Sequence, residues 1–126
     1  MNASQLQQRT KTFALSIIQL SSLLPNRPEG WILGKQIIRS ATSVAANYRA
    51  VARAKSDKDF ISKIDTVIEE SDETLFWLEL IEESNLLPDH KQNLTQLKTE
   101  ANELTAIFVA TSKTIKKRLN LLKTKS

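Results

Sequence analysis

Cysteine is absent from this 126-residue sequence, and glycine and proline are scarce, with two and three copies. Without thiols, disulfide cross-links, thiolate catalysis and thiolate zinc sites are excluded. The prolines stand at only two places, Pro25 with Pro28 and then Pro88, so long stretches contain no helix breaker. The sequence therefore predicts long helices.

Long apolar runs are absent as well. No stretch approaches the roughly 18 consecutive apolar residues of a membrane span, and the N-terminus has no apolar run of signal-peptide type. We expect a soluble, cytoplasmic protein with no membrane role. Residues 1–126 should form one domain, because a chain of this length buries a core without disulfides or metals.

Groups suited to catalysis are also missing. His90 is the single histidine, and no Glu-x-x-His pair exists, so a metal site is not expected. No glycine-rich phosphate loop is present. The acids Glu69, Glu70, Asp72 and Glu73 spread over the polar surface of one predicted helix, which is typical of a solvated or salt-bridging face. We predict a non-enzymatic protein with no cofactor and no small-molecule substrate.

Apolar residues recur at helical spacing in four segments separated by short breaks. We expect helices over residues 4–24, 29–54, 57–84 and 89–122. The prolines close the first and third helices, while Ser56 with Asp59 predicts a capped start for the third. Four such helices joined by short loops predict an all-α, antiparallel up-down-up-down four-helix bundle.

The second half of the third helix is apolar on two faces, although a bundle helix needs only one buried stripe. The second stripe consists of Phe76, Trp77, Leu80 and Ile81. Because water contact with such a stripe is unfavourable, we predict that a partner subunit covers it in a homo-oligomer. The alternative is that the loop between the first two helices folds Trp31 over it.

The net charge of +4 is distributed in blocks. Residues 1–55 carry a net charge of +7, residues 56–100 carry −8, and residues 101–126 carry +5. Blocks of opposite sign indicate segments that attract one another, with basic charge left over.

Two basic clusters are candidate nucleic-acid contacts, because Lys and Arg neutralise phosphates. The first lies on the second helix, opposite its apolar face, and contains Lys35, Arg39, Arg49 and Arg53, extended by Lys55. The second ends the chain and contains Lys113, Lys116, Lys117, Arg118, Lys123 and Lys125. The alternative is that these residues pair with acids of the third helix in a purely structural or protein-interaction oligomer.

A combination of residues between Gln36 and Ile81 carries a family resemblance. It comprises Gln36, Arg39, Ser40, Ser43, Asn47, Tyr48, Arg49, Arg53, Lys55, Ser56, Phe60, Glu70, Asp72, Glu73, Trp77 and Glu79. The segment resembles the central signature of four-helix bundle proteins related to those encoded in 23S ribosomal RNA intervening sequences. Many relatives have an acid soon after the asparagine, as in Asn-x-x-Glu, where this chain has Arg49 and Ala50.

This resemblance implies an antiparallel bundle, a ring-shaped homopentamer and no enzymatic activity. A related bundle, the accessory protein of diversity-generating retroelements, is a basic pentamer that works with a reverse transcriptase and nucleic acid. By that analogy of fold, nucleic acid is the favoured partner. The motif residues expected to have structural roles are Gln36, Arg39, Ser43, Asn47, Tyr48, Glu70 and Glu73.

Overall fold

The computed structural model describes residues 1–125, with side chains through Asn120, as four α-helices. The helices are α1 (Ala3–Ser21), α2 (Pro28–Val51), α3 (Asp57–Glu83) and α4 (Lys91–Lys125), and one 3-10 turn, Pro88–His90, precedes α4. No strand occurs among these residues. The predicted all-α, four-helix class is therefore confirmed.

Local hydrogen bonds determine where α1 and α2 begin and end. Asn2 and Gln5 cap α1 reciprocally, each side-chain oxygen accepting the other residue's backbone N–H, at 2.8 and 2.9 Å. α1 ends at Ser21 rather than at residue 24, because the N–H groups of Leu23 and Leu24 bond three residues back instead of four. The same tightening ends α2 at Val51 rather than at residue 54.

The ends of α3 follow from side-chain and backbone caps. Ser56 Oγ accepts the N–H of Asp59 at 3.1 Å, as the sequence predicts. At the other end, Asn85 has a φ of 57°, and the N–H of Leu86 bonds to the carbonyl of Ile81 at 3.3 Å. This is a Schellman ending, and it buries Leu86 beside the core.

Polar partners on α3 and α4 run in opposite sequence order. The pairs are Asp57 with Arg118, Asp65 with Lys116, Ser71 with Thr105, and Glu82 with Lys98. The two helices are therefore antiparallel, as their short connection requires.

The core lies between the four helices and is filled by large apolar side chains. Those that are fully buried include Phe13, Ile17, Ile37, Ile64, Leu78, Leu104 and Phe108. Two hydroxyl pairs cross this core: Thr74 Oγ1 donates to Ser40 Oγ at 2.8 Å, and the Ser71 and Thr105 hydroxyls lie 2.6 Å apart. Because each buried hydroxyl has a partner, these pairs select a register without leaving a polar atom unsatisfied.

α3 packs against both α2 and α4, whereas α1 packs mainly against α2 and only sparsely against α4. Arg9 bridges the gap between α1 and α4, donating to Glu100 at 2.8 and 2.6 Å and to Glu103 at 2.6 Å. The hydrogen bonds to Glu100 raise the pKa of Arg9 above its ordinary value. This ion-pair cluster joins α1 to α4 beside the apolar core that both helices share.

The turn between α1 and α2 depends on Gly30, which is buried against the loop. A Cβ at this position would lie 2.0 Å from the Pro25 carbonyl oxygen. We expect Gly30→Ala to lower the free energy of unfolding by about 1–3 kcal/mol, because the added carbon overpacks against backbone. Urea denaturation at one fixed protein concentration measures the change.

Gly34→Ala is the matched control on the same helix. Its Cβ would meet only Leu24 Cδ1, at 3.3 Å, which is the flexible end of a side chain. Removing a glycine from a helix interior contributes about 1 kcal/mol, so this variant should match or exceed the wild-type stability. Equal stability of the two variants would contradict the described packing of the loop.

Candidate nucleic-acid interface

An open groove of about 590 Å³ lies between the first half of α1 and the second half of α2. Its walls define the α1–α2 groove. They are Ser4, Gln7, Gln8, Lys11 and Ala14 from α1, Thr42, Ala45, Ala46 and Arg49 from α2, and Arg53 from the turn that follows α2. Three of these ten residues are basic and none is acidic. The groove therefore combines positive charge with neutral hydrogen-bonding groups.

Helical spacing explains why these side chains share one groove. On α2, Thr42, Ala45, Ala46 and Arg49 recur three and four residues apart, which places them on one face. The two alanines have no side chain beyond Cβ, so the surface between α1 and α2 remains hollow. The longer Lys and Arg side chains then stand at its rim.

Among the described residues, the cations of the groove have no ion-pair partner. Lys11, Arg49 and Arg53 are exposed, and within the described part of the chain no carboxylate lies in ion-pair distance of any of them. Their charges are available to an anion from solution.

Arg39 behaves differently, although the sequence assigns it to the same basic stripe. Its Nη1 donates to Glu70 at 3.1 Å, its Nη2 donates to Glu73, and its Nε donates to Gln36 at 3.3 Å. The bond to Glu73 and the charges of both carboxylates raise the pKa of Arg39. Pairing with α3 therefore holds for Arg39, whereas Arg49 and Arg53 on the described chain make no such contact.

The C-terminal basic cluster is divided in the same way. Lys116 pairs with Asp65 at 3.3 Å and Arg118 with Asp57 at 2.8 Å, both on α3. The exposed members without an ion pair on the described chain are Lys113 and Lys117. The side chains of Lys123 and Lys125 lie outside the described residues.

A second hollow, of about 410 Å³, lies between the same two helices near their connecting loop. Ile18, Trp31, Lys35 and Ile38 are among the residues that line it. Trp31 is 60% exposed, and its indole N–H donates to Asn26 Oδ1 at 2.8 Å, which orients the ring. Lys35 follows one turn later and is exposed. Lys55, also exposed, lies beyond the end of α2 and lines neither hollow.

Other motif residues make contacts within α2 or in the core. Asn47 Nδ2 donates to the carbonyl and to the hydroxyl of Ser43, both at 2.9 Å. Tyr48 is buried with its ring 5.6 Å from that of Phe108, and burial raises the pKa of its phenol. These residues lie away from the α1–α2 groove.

The second apolar stripe of α3 needs one correction. Ile81 is fully buried within its own chain, because it follows buried Thr74 and Leu78 at helical spacing, and it is therefore not part of the exposed stripe. Phe76 is 50% exposed and packs edge-on against Trp77, with ring centroids 5.0 Å apart; Trp77 and Leu80 are partly exposed.

The alternative cover for this stripe is also wrong. Trp31 lies in the hollow between α1 and α2, and the side chain of Phe76 stays half exposed instead of being covered by the loop. The apolar surface of Phe76, Trp77 and Leu80 is therefore open on the described chain.

Sequence reasoning missed Lys11 and did not connect Trp31 with the basic residues. Lys11 is a single lysine on the polar face of α1, and nothing along the chain relates it to Arg49. Lys11 and Trp31 come to lie along the same face as the basic residues only when α1 packs against α2. One feature of the sequence could have indicated Lys11. No acid precedes Glu29, so the cations of α1 have no acidic neighbour within their own helix.

Other kinds of site have little support in the described residues. No group of three or more His, Asp or Glu side chains there is placed to hold a metal ion. Within the same range, no helix is both long and apolar enough to cross a membrane.

The fold and its surfaces define a small helical-bundle protein with a basic groove whose cations make no ion pair with the described residues. Comparison with protein families gives a match to the model described as 23S rRNA-intervening sequence protein, over residues 2–110. The chain belongs to this family. The matched range contains the whole α1–α2 groove and ends before the C-terminal basic cluster.

A solved structure has a similar fold. It is a protein of unknown function from the S23 ribosomal protein family of Bacteroides thetaiotaomicron, with 29% sequence identity and a TM-score of 0.78. The similarity covers 86% of this chain and 98% of the solved one. No curated protein matches the chain.

The contrast between Arg39 and the groove arginines gives a stability prediction. Arg39→Gln should lower the free energy of unfolding by up to about 1 kcal/mol, the usual range for exposed ion pairs. Arg49→Gln combined with Arg53→Gln should change it less, because neither side chain has an ion-pair partner on the described chain. Thermal melting in low and high salt makes the comparison. A larger loss in the double variant would mean that the groove arginines pair internally.

Proposed function

We propose that this chain is a non-enzymatic, cytoplasmic helical-bundle scaffold, a homo-oligomer whose α1–α2 groove binds nucleic-acid phosphates. The observation that carries the proposal is that Lys11 of α1, Arg49 of α2 and Arg53 of the following turn line one groove that has no acid among its lining residues. Arg39 provides the comparison, because it lies on the same helix as Arg49 and is paired with acids of its own chain. Acids of α3 pair with Arg39, whereas among the described residues none of them pairs with a cation of the groove.

The chemistry of the groove suits a polyanion. Arg49 and Arg53 supply planar guanidinium groups that bind phosphate oxygens in pairs, and Lys11 supplies a point charge opposite them. Gln7, Gln8 and Thr42 can hydrogen-bond sugars or phosphates without selecting a sequence.

Oligomerisation strengthens the proposal. Three cations in one subunit would bind nucleic acid only weakly at physiological salt. A ring of subunits, five by the family resemblance, would present the groove repeatedly to one strand, and linked contacts multiply affinity.

The salt dependence of binding tests the phosphate contacts directly. For Arg49→Gln combined with Arg53→Gln, we expect weaker binding to mixed RNA and DNA and a smaller slope of log K against log salt. The slope should fall by about 0.7 to 0.9 for each phosphate contact that is lost. Fluorescence anisotropy of labelled oligonucleotides at several salt concentrations measures both quantities.

A control with the same change in net charge is available. Arg27 and Arg118 are already paired, with Glu29 at 2.9 Å and Asp57 at 2.8 Å, so Arg27→Gln combined with Arg118→Gln should leave the slope nearly unchanged. Equal losses in the two double variants would assign binding to net charge and not to the groove. An effect confined to Lys113→Gln with Lys117→Gln would move the site to the C-terminal cluster.

The second candidate function is a purely structural or protein-interaction oligomer. It is favoured by the open surface of Phe76, Trp77 and Leu80 together with the exposed acids of α3, Glu69, Asp72, Glu79 and Glu83. In that case the acidic face of one subunit would occupy the basic groove of the next. Binding of nucleic acid would then be weak in the intact oligomer.

The apolar surface of α3 can be tested separately. Phe76→Glu with Leu80→Glu should dissociate the oligomer, because charged side chains cannot be buried unpaired in an apolar contact. Ile32→Glu, at a more exposed apolar position on α2, is the control and should leave the mass unchanged. Light scattering at micromolar concentration reads the result. A monomeric wild-type protein would contradict the oligomer proposal.

A further inference from the structure

The two hollows between α1 and α2 lie on one continuous face. Trp31 and Lys35 stand one helical turn apart at the loop end, and Arg49 and Arg53 stand at the far end. Trp31 and Arg49 are eighteen residues apart, which is five turns of α-helix, or about 27 Å. An aromatic ring and a row of cations therefore follow the same line along α2.

Trp31 is placed unusually for a residue of its size. It is 60% exposed, although Gly30 beside it is buried. The indole nitrogen donates to Asn26 within the turn, and this hydrogen bond holds the ring without burying its faces. An oriented, accessible indole beside cations has the elements of a base-stacking platform.

We propose that the α1–α2 face binds single-stranded nucleic acid, with one base stacked on Trp31 while Lys35, Arg49 and Arg53 contact phosphates; this rests on the proposed function. A duplex encloses its bases, so only the cations can contact it and Trp31 contributes nothing. A single strand offers both its backbone and its base faces. The chain should therefore prefer single strands, without strong sequence preference.

The test compares three ligands that have the same number of phosphates per strand. They are a mixed single strand of about 12 nucleotides, the corresponding duplex, and an abasic strand. We expect the wild-type protein to bind the natural single strand most tightly. Trp31→Ala should weaken that binding by at least about fivefold, the lower end of what base stacking contributes, and leave abasic binding unchanged.

Two variants separate stacking from a local structural effect. Trp31→Phe keeps an aromatic face but loses the hydrogen bond to Asn26, so it should bind nearly as the wild type. Ile32→Ala removes an equally exposed apolar side chain from the neighbouring position and should have no effect. If Trp31→Ala fails to fold, the abasic strand still tests stacking with the unmodified protein.

The outcomes distinguish this inference from the proposed function. Equal wild-type affinity for the natural and abasic strands, or unchanged single-strand binding by folded Trp31→Ala, would overturn stacking. If the Arg49 and Arg53 variants still lose binding in that case, the proposal that the groove binds phosphates is retained and only base stacking on Trp31 is rejected. If no ligand binds in a salt-dependent, arginine-dependent way, both fail. Tighter binding to phosphatidylserine vesicles than to any strand would replace nucleic acid by a membrane surface.

Discussion

The arrangement of charge in this protein depends on the position of one acidic helix. α3 carries ten of the fourteen acidic residues and packs between α2 and α4. Ion pairs form only at contact distance, so α3 neutralises cations that face it, such as Arg39, Lys98 and Lys116. The far side of α2 and the outer face of α1 lie beyond its reach.

The α1–α2 groove is basic because the acids of α3 are too far away to pair with its cations. α1 contains no acid, and its cation nearest another helix's acids, Arg9, turns to Glu100 and Glu103 on α4. Lys11, on a different face, has the arginines of α2 as neighbours instead. Repulsion among these exposed cations is small in water, so the bundle tolerates the groove, while a bound polyanion would gain from all of them.

The polar residues of the family signature take part in the packing of α2 against α3. This packing determines which cations of α2 meet an acid and which remain in the groove. Ser40 with Thr74 sets α2 against α3, and Arg39 with Glu70 and Glu73 holds the same seam at the surface. If α2 were shifted by one turn along α3, the hydroxyl pair and the ion pairs would both be broken. Signature residues therefore hold α2 in the orientation that presents Arg49 and Arg53 to α1, although most of them lie outside the groove.

Sequence alone determined the helical class, the four segments and the caps at Ser56, because periodicity and capping act within a few residues. It could not determine the helix ends at Ser21 and Val51, where backbone bonds tighten, or the burial of Ile81. Nor could it separate Arg39 from Arg49, since both lie on the polar face of one helix and differ only in which neighbour they meet. That difference, like the union of Lys11 with Arg49, was decided by tertiary packing, because charge interactions depend on distance in space and not along the chain.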